Sequence, residues 1–295
     1  MDLRHLRTFQ VVARTMSFTR AAEQLDYAQS SVTAQIQLLE KELDVVLFSR
    51  LGRRISLTDA GSRLLAYADK MLNLADEAQF AVMNQDEPTG TLLISSPETL
   101  TAYRLPPLLS RFRQRFPHVR LIFESGTCAD ARRCVQDGSA NIAFIIDRPV
   151  HRSSILMAET LVKERLFLLA HPEHPMARCT SVQPDDLRHE AFLLTEAGCS
   201  YRMMFEDVLA ASGVYLSETM EFNSVEAIKQ CAMAGLGIAV LPEIAVKLEI
   251  EQERLVALPW NPPNFHMFTQ VIWHKNVWLS PALNAFIEMS RETLR

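Results

Sequence analysis

One stretch, residues 17–43, constrains the fold of this chain more than any other: SFTRAAEQLDYAQSSVTAQIQLLEKEL. Its apolar residues recur at helical spacing in two sets, which are Phe18, Ala21, Ala22 and Leu25, and then Val32, Ile36, Leu39 and Leu43. Because residues three and four apart share one face of a helix, this spacing predicts two short amphipathic helices joined around residues 26–29. Two helices joined by so short a turn form a helix-turn-helix.

The second predicted helix has a polar side that suits DNA. If its apolar set is buried, small and hydrogen-bonding side chains with few acids lie on the opposite side. Such a surface can enter a major groove and contact base edges. The residues expected to contact DNA here are Ser30, Ser31, Thr33, Gln35, Gln37 and Lys41. These residues alone leave one alternative open, an ordinary helical hairpin buried in a core.

The next segment predicts a two-stranded wing. Residues 45–48 are apolar, Gly52 permits a tight turn, and Ile55 and Leu57 alternate with polar residues. The wing would carry three arginines near its tip, placed to pair with phosphates: Arg50, Arg53 and Arg54. A solvated basic hairpin is the alternative for this segment.

Residues 58–83 predict one long helix with an apolar seam. The seam repeats in steps of four and three, as in a coiled coil, and consists of Leu64, Ala68, Met71, Ala75, Ala78 and Val82. We expect this seam to pair two copies of the chain. A lone amphipathic helix packed on its own domain would show a similar stripe.

Beyond the linker at residues 84–90 the periodicity changes. Apolar runs at 91–95, 119–124 and 141–147 read as strands and alternate with helical runs. A second alternating set follows, so the sequence predicts a largely parallel α/β fold in two lobes with a cleft, as in a hinged ligand binder.

Composition limits the class of protein. No apolar run approaches the length of a membrane span, and the first ten residues lack the apolar core of a signal peptide, so a cytoplasmic protein without membrane contact is expected. The net charge is −5, but residues 1–60 carry eight Lys/Arg against seven Asp/Glu. DNA contact must therefore come from local clustering of basic residues. The five cysteines form no CxxC pair or zinc spacing, so neither disulfides nor a metal site is predicted.

The N-terminal phrase resembles a known family. Residues 6–61, from LRTFQVVARTMSFTRAAEQL to RISLTDAG, are similar to the winged helix-turn-helix of the LysR-type bacterial transcriptional regulators. Residues 105–119 (LPPLLSRFRQRFPHV), 171–177 (HPEHPMA) and 234–242 (AGLGIAVLP) resemble the effector half of the same family. The resemblance implies promoter DNA as partner, oligomers built through the linker helix, and a periplasmic-binding-protein-like effector domain that holds a small inducer between two lobes.

The expected fold class is thus α/β with an all-α-plus-wing N-terminal domain. The domains are residues 1–60 (winged helix-turn-helix), 61–88 (linker and dimerisation helix) and 89–295 (effector-binding), with lobe I at about 89–162 and 268–295 and lobe II at about 163–267. Expected partners are double-stranded promoter DNA, a small-molecule inducer, further copies of the chain in a homodimer or homotetramer, and RNA polymerase. No cofactor is expected.

The chain departs from the family pattern in its recognition helix. Ser30 stands where the family commonly has proline, and Ala34 and Gln37 stand where basic residues often project. The share of affinity supplied by the wing arginines should rise accordingly.

Hydroxyl side chains at strand ends and helix starts predict the effector site. Such positions collect ligands in open α/β sheets, and their hydroxyls and free N–H groups favour an anion. The candidates are Ser96, Thr99, Thr101, Thr127, Thr195, Cys199, Tyr201 and Ser224. Simple helix capping, without a ligand, is the alternative.

The sequence argues against three other functions. Cys199 lies near the reactive cysteine of peroxide-sensing members of the family, but no resolving cysteine follows within thirty residues. A solute-binding protein would leave residues 1–82 unexplained and would need an export signal. No GxSxG, HExxH or Walker motif is present, so no catalytic residues are predicted.

Overall fold

The computed structural model describes residues 1–51, 54–82, 87–149, 155–262 and 265–294. The chain divides into two units, residues 1–86 and 87–295, each with its own core.

The first unit is a winged helix-turn-helix followed by a long helix. Its elements are α1 (Leu3–Thr15), α2 (Phe18–Leu25), α3 (Gln29–Leu43), β1 (Phe48–Leu51), β2 (Arg54–Leu57) and α4 (Asp59–Val82). Ser17 caps α2, because its side chain accepts a hydrogen bond from the backbone N–H of Arg20. Asp26 and Asp44 end α2 and α3 in the left-handed conformation, which sets the sharp turns between elements.

The core of this unit confirms most of the predicted apolar faces. Phe9, Val32, Ile36 and Leu39 are buried between α1, α2 and α3. The predicted burial of Leu43 is wrong, since 37% of this residue is exposed. Leu43 is the last residue of α3 and lies beyond the cluster that the other three residues form.

The long helix α4 packs its first half on α1. Leu64 and Ala68 of the predicted seam belong to this contact, and Ala68 is fully buried in the core. The Asp69 carboxylate accepts hydrogen bonds from the side chains of Gln10 at 2.5 Å and Arg14 at 3.2 Å. These two seam residues therefore follow the alternative prediction, packing on their own domain.

The second unit contains two five-stranded sheets. Its elements are β3 (Gly90–Ser96), α5 (Glu98–Tyr103), α6 (Pro106–Arg115), β4 (Val119–Ser125), α7 (Cys128–Asp137), β5 (Ile142–Asp147), β6 (Leu156–Glu164), β7 (Leu166–Ala170), β8 (Ala191–Thr195), α8 (Ser200–Ala211), β9 (Glu218–Phe222), α9 (Val225–Met233), β10 (Ile238–Pro242), α10 (Glu243–Glu251), β11 (Val256–Ala257), β12 (Met267–His274) and α11 (Pro281–Leu294).

Each sheet defines one lobe. Lobe I holds the sheet with strand order β4-β3-β5-β12-β6, and lobe II holds the sheet with order β11-β7-β10-β8-β9. Both sheets are mixed, because β12 runs antiparallel to β5 and β6, and β7 runs antiparallel to β10 and β11. The prediction of largely parallel sheets missed these strands. The chain leaves lobe I from β6 into β7 and returns through β12, so two neighbouring antiparallel strands carry both crossings.

Candidate DNA-binding face and effector cavity

Helix α3 presents a polar side to solvent. Ser30, Ser31, Gln37 and Lys41 are exposed, opposite the buried apolar set. Thr33 is half-buried and its Oγ1 donates to the Gln29 carbonyl oxygen at 3.0 Å. The fold therefore makes these four exposed side chains of α3 available to a partner.

Gln35 lies on the inner side of α3. Its side-chain oxygen accepts a hydrogen bond from Thr8 Oγ1 at 2.6 Å, and the residue is half-buried against α1. Because Gln35 is the neighbour of Ile36 in sequence and follows Val32 by three positions, it sits at the edge of the buried face. This contact gives Gln35 a role within the domain rather than on its outer surface.

The wing is anchored to α3 by a carboxylate. Glu40 Oε1 accepts from the backbone N–H of Leu47 at 2.8 Å and of Phe48 at 3.3 Å, where β1 begins. The strands β1 and β2 pair antiparallel, with Arg50 opposite Ile55. Arg50 thus lies in β1 and Arg54 begins β2, while their side chains, and Arg53 as a whole, lie outside the described residues.

The effector site predicted at strand ends coincides with a cavity. It has a volume of about 390 Å³ and lies in the second unit, where β3, β4 and β8 end and α5, α7 and α9 begin. Both lobes contribute to its wall. Its lining residues are Pro97, Glu98, Thr99, Ser125, Gly126, Thr127, Cys128, Asp130, Ile146, Thr195, Glu196, Cys199, Tyr201, Asn223 and Val225.

Five of the predicted effector residues line this cavity, namely Thr99, Thr127, Thr195, Cys199 and Tyr201. The other three, Ser96, Thr101 and Ser224, do not line it. Ser96 and Thr101 donate to the Pro97 carbonyl oxygen, and Ser224 caps α9 by accepting from the N–H of Ala227. These three hydroxyls all have local partners, and of the three Ser224 is the one that follows the capping alternative.

The residues that the prediction omitted occupy the same strand ends. Ser125 ends β4 and Gly126 follows it, so the rule that selected Thr127 applies to both. Ile146 lies near the end of β5 and Val225 opens α9. The preference for hydroxyl side chains explains why the prediction omitted Gly126, Ile146 and Val225, but not why it omitted Ser125, whose hydroxyl fits the same rule.

Hydrogen bonds join the lobes around the cavity. Glu98 of lobe I accepts from the backbone N–H of Val225 in lobe II at 2.8 Å. Thr99 Oγ1 lies 3.4 Å from the hydroxyl of Tyr201. Ser200 Oγ donates to Asp147 at 3.0 Å. Lobes I and II therefore meet directly at this site.

Two of the helix starts that face the cavity, those of α7 and α9, already have side-chain oxygens as partners. Thr127 and Asp130 form a reciprocal capping box at the start of α7. The Thr127 hydroxyl and N–H both donate to the Asp130 carboxylate, and these bonds lower the pKa of Asp130. At the start of α9, Glu98 takes the N–H of Val225. An anion would have to displace these groups to use the same N–H donors.

The charges of the lining argue against the anionic effector that the hydroxyls predicted. Glu98, Asp130 and Glu196 are acidic, and the lining contains no lysine, arginine or histidine among the described residues. Carboxylates in the wall of a cavity repel an anionic ligand and attract a cationic one.

The cysteines of the cavity are in surroundings that suppress reactivity. Burial raises the pKa of the Cys128 thiol to about 12 and also raises the pKa of Cys199. All five cysteines are unpaired thiols. Since the thiolate is the reactive form, this geometry does not support thiol-based sensing by Cys199.

The described residues lack two further kinds of feature. They contain no group of three His, Cys, Asp or Glu side chains able to hold a metal ion. No helix in the described part of the chain has the length and apolar character of a membrane span.

Known proteins resemble both units. The family model for the bacterial regulatory helix-turn-helix protein of the lysR family matches residues 3–62, and that for the LysR substrate binding domain matches residues 85–295. The uncharacterized HTH-type transcriptional regulator YwqM of Bacillus subtilis (strain 168) is 44% identical over 297 residues, which cover 100% of this chain and 100% of that protein.

Solved structures share the fold over the full length. Full-length OxyR C199D from Pseudomonas aeruginosa has a TM-score of 0.73 at 24% identity, and the match covers 100% of this chain and 95% of that one. Full-length CbnR complexed with its target DNA has a TM-score of 0.68 at 23% identity over 99% of this chain and 100% of that one. The two family models and the relative over its whole length place this chain in the LysR family of DNA-binding transcriptional regulators, with an effector-binding domain as its second unit.

Proposed function

We propose that the exposed side of α3 contacts base edges in a promoter while the wing arginines pair with flanking phosphates. The observation that carries this proposal is the division of α3 into a buried apolar side and an exposed polar side. Ser30, Ser31, Gln37 and Lys41 supply hydrogen-bond donors and acceptors suited to a major groove. The solved complex of CbnR with its target DNA, which shares the fold, supports DNA binding by the first unit, the head formed by residues 1–86.

The cavity between the lobes binds the effector in this proposal. A ligand that contacts both walls binds one arrangement of the two lobes more tightly than another, so it shifts the population between them. The two crossings at β6 and β12 provide the connection about which the lobes would move. This shift in lobe arrangement changes how the two heads of a dimer bind DNA. Contact with RNA polymerase and a cytoplasmic location are further predictions.

The proposal is tested by selecting genomic fragments with the purified full-length protein at modest ionic strength. We expect a small set of fragments to be enriched, and their neighbouring genes to narrow the effector's chemistry. In Gln37→Ala, each head loses one base contact, so the preference among fragments should fall by about five- to a hundredfold for each head that binds. Lys247→Ala, an exposed residue of the second unit, is the control.

Two results would contradict the proposal. One is wild-type protein without preference for any fragment, with or without candidate metabolites. The other is a Gln37→Ala and Lys41→Ala double variant that keeps the wild-type preference, since it would remove α3 from sequence recognition.

A further inference from the structure

Among the described residues, one carboxylate that lines the effector cavity has no partner. Glu98 is engaged by the Val225 N–H, and Asp130 by Thr127 and Arg133. Glu196 also lines the cavity, is half-buried, and its carboxylate makes no hydrogen bond or ion pair with a described residue. A partly desolvated carboxylate in this state is complementary to a positive charge.

Thr195, the residue before Glu196, supplies a second and independent indication of a ligand. Thr195 is 5% exposed and lines the cavity, and its Oγ1 has no hydrogen-bond partner among the described residues. Among the described residues, the Cys199 thiol lies close enough to interact weakly with this hydroxyl, but a thiol is a poor hydrogen-bond partner. Buried hydroxyls are rarely left unsatisfied in folded proteins, so a ligand atom is the expected partner.

The rest of the wall limits the size and polarity of the ligand. A volume of about 390 Å³ suits a small metabolite. Ile146 and Val225 provide apolar surface, and the buried hydroxyl of Tyr201 already lies beside Thr99. Because burial raises the pKa of Tyr201 well above its usual value, its hydroxyl stays protonated and neutral.

We propose that the effector is a small molecule with a protonated amine, which pairs with Glu196 while a neighbouring polar atom hydrogen-bonds to Thr195 Oγ1. This inference rests on the proposed function, since it takes the cavity to be the effector site. Simple amines and amino acids share the required group. An effector that is only anionic would face three carboxylates, and the N–H groups at the starts of α7 and α9 are already occupied.

The test is a thermal-shift screen of the full-length protein with three matched arms. The amine arm holds diamines such as 1,4-diaminobutane and, as a separate subset, amino acids. The neutral arm holds diols such as 1,4-butanediol, and the anionic arm holds amine-free dicarboxylates such as succinate. We expect stabilisation in the amine arm alone, and the subset that responds distinguishes simple amines from amino acids.

The strongest amine is then titrated by calorimetry against three variants. Glu196→Gln should weaken binding by about ten- to a hundredfold, the range of a hydrogen bond to a charged group. Thr195→Val, which keeps the shape of the side chain, should weaken it by about three- to tenfold. Glu173→Gln removes an exposed acid of lobe II that does not line the cavity and should leave affinity unchanged.

Three results would overturn the inference. They are stabilisation only by amine-free compounds, an amine whose affinity is the same for Glu196→Gln and wild type, and no response in any arm. Fragment selection on the same protein separates these outcomes from failure of DNA binding. If the protein selects DNA fragments but is not stabilised by amines, the inference of an amine effector is refuted and the proposal of DNA binding stands.

Discussion

At the residue scale, the four residues Thr58 to Gly61 hold the start of α4 against the segment that precedes the wing. The Thr58 hydroxyl donates to the Val46 carbonyl oxygen at 2.7 Å and accepts from the N–H of Gly61 at 3.0 Å. The Thr58 N–H donates to the Leu47 carbonyl oxygen at 3.0 Å. One residue thus caps α4 and ties its start to the segment before the wing.

Gly61 carries a prediction because of its distance from that segment. A Cβ at this position would lie 2.2 Å from the Leu47 carbonyl oxygen. In an unobstructed helix, glycine to alanine stabilises by about 0.5–1 kcal/mol. Here Gly61→Ala should instead lower the free energy of unfolding of the first unit by about 1–3 kcal/mol, because the backbone must move. Urea denaturation measures the change.

Ser62→Ala is the matched control, since Ser62 is the next helical residue and is exposed. It should leave the unfolding midpoint nearly unchanged. If Gly61→Ala were as stable as Ser62→Ala, the close approach to Leu47 would not constrain this position.

A second residue-scale prediction concerns a buried ion pair in lobe II. Lys229 Nζ lies 2.7 Å from Glu249 Oε1, and their side chains are 5% and 10% exposed. Burial lowers the pKa of Lys229, but hydrogen bonds to Glu249 and Glu226 outweigh it and raise the pKa overall. Lys229→Met should cost about 3–5 kcal/mol of unfolding free energy, because Glu249 would remain buried without a partner.

Calorimetric melting of the full chain measures this loss. Lys247→Met is the control, since Lys247 is 72% exposed beside Glu251. The double variant Lys229→Met, Glu249→Leu should recover most of the loss, since no buried charge remains. Equal stability of Lys229→Met and the control would mean that the pair is not energetically important.

At the element scale, α4 has two apolar sides. Ala68 and Leu72 are buried in the head, whereas Tyr67, Met71 and Leu74 are 59%, 38% and 63% exposed. With the exposed Ala78, the latter three follow steps of four, three and four along the helix. The exposed stripe has coiled-coil spacing, so we expect it to pair two copies of the chain. Of the originally predicted seam, it retains Met71 and Ala78.

Leu74→Glu tests this pairing. A charge in the centre of an apolar seam should convert the assembly to smaller species and weaken self-association by tenfold or more, roughly the loss of one buried leucine. Sedimentation equilibrium over a range of concentrations gives the association constant. Ser62→Glu, an exposed residue on the opposite side of α4, is the control. Unchanged association of Leu74→Glu would exclude this stripe as the interface.

The same helix shows why sequence alone could predict the element but not its contacts. Period and length identified one long helix, yet apolar residues on both sides left the choice of partner open. In α3, spacing predicted the buried side but not the hydrogen bond between Gln35 and Thr8, which depends on how α1 packs. Strand ends located the cavity, but the sequence could not show which of its polar side chains would lack a partner, because contacts such as that of Glu98 with the Val225 N–H form between segments distant in sequence.

At the scale of the whole molecule, the family assignment confirms the prediction of a transcriptional regulator rather than an enzyme or a solute-binding protein. Net charge gave little help, since the chain as a whole is acidic at −5. The features that identified the family were the N-terminal sequence pattern of about sixty residues and the α/β region that follows it. DNA affinity must therefore arise from a few local side chains, which makes its dependence on salt informative.

If each dimer neutralises about six phosphates, the logarithm of the association constant should fall by roughly five per tenfold increase in salt. Arg53→Ala removes one arginine from each head, so a dimer loses two phosphate contacts and the slope should become shallower by about 1.8. Gln37→Ala is the control, because losing a base contact lowers affinity for the selected fragment without changing the slope. Fluorescence anisotropy titrations at several salt concentrations measure both. If Arg53→Ala keeps the wild-type slope, this arginine does not contact phosphate, and the recognition helix must supply more of the electrostatic affinity than its composition suggests.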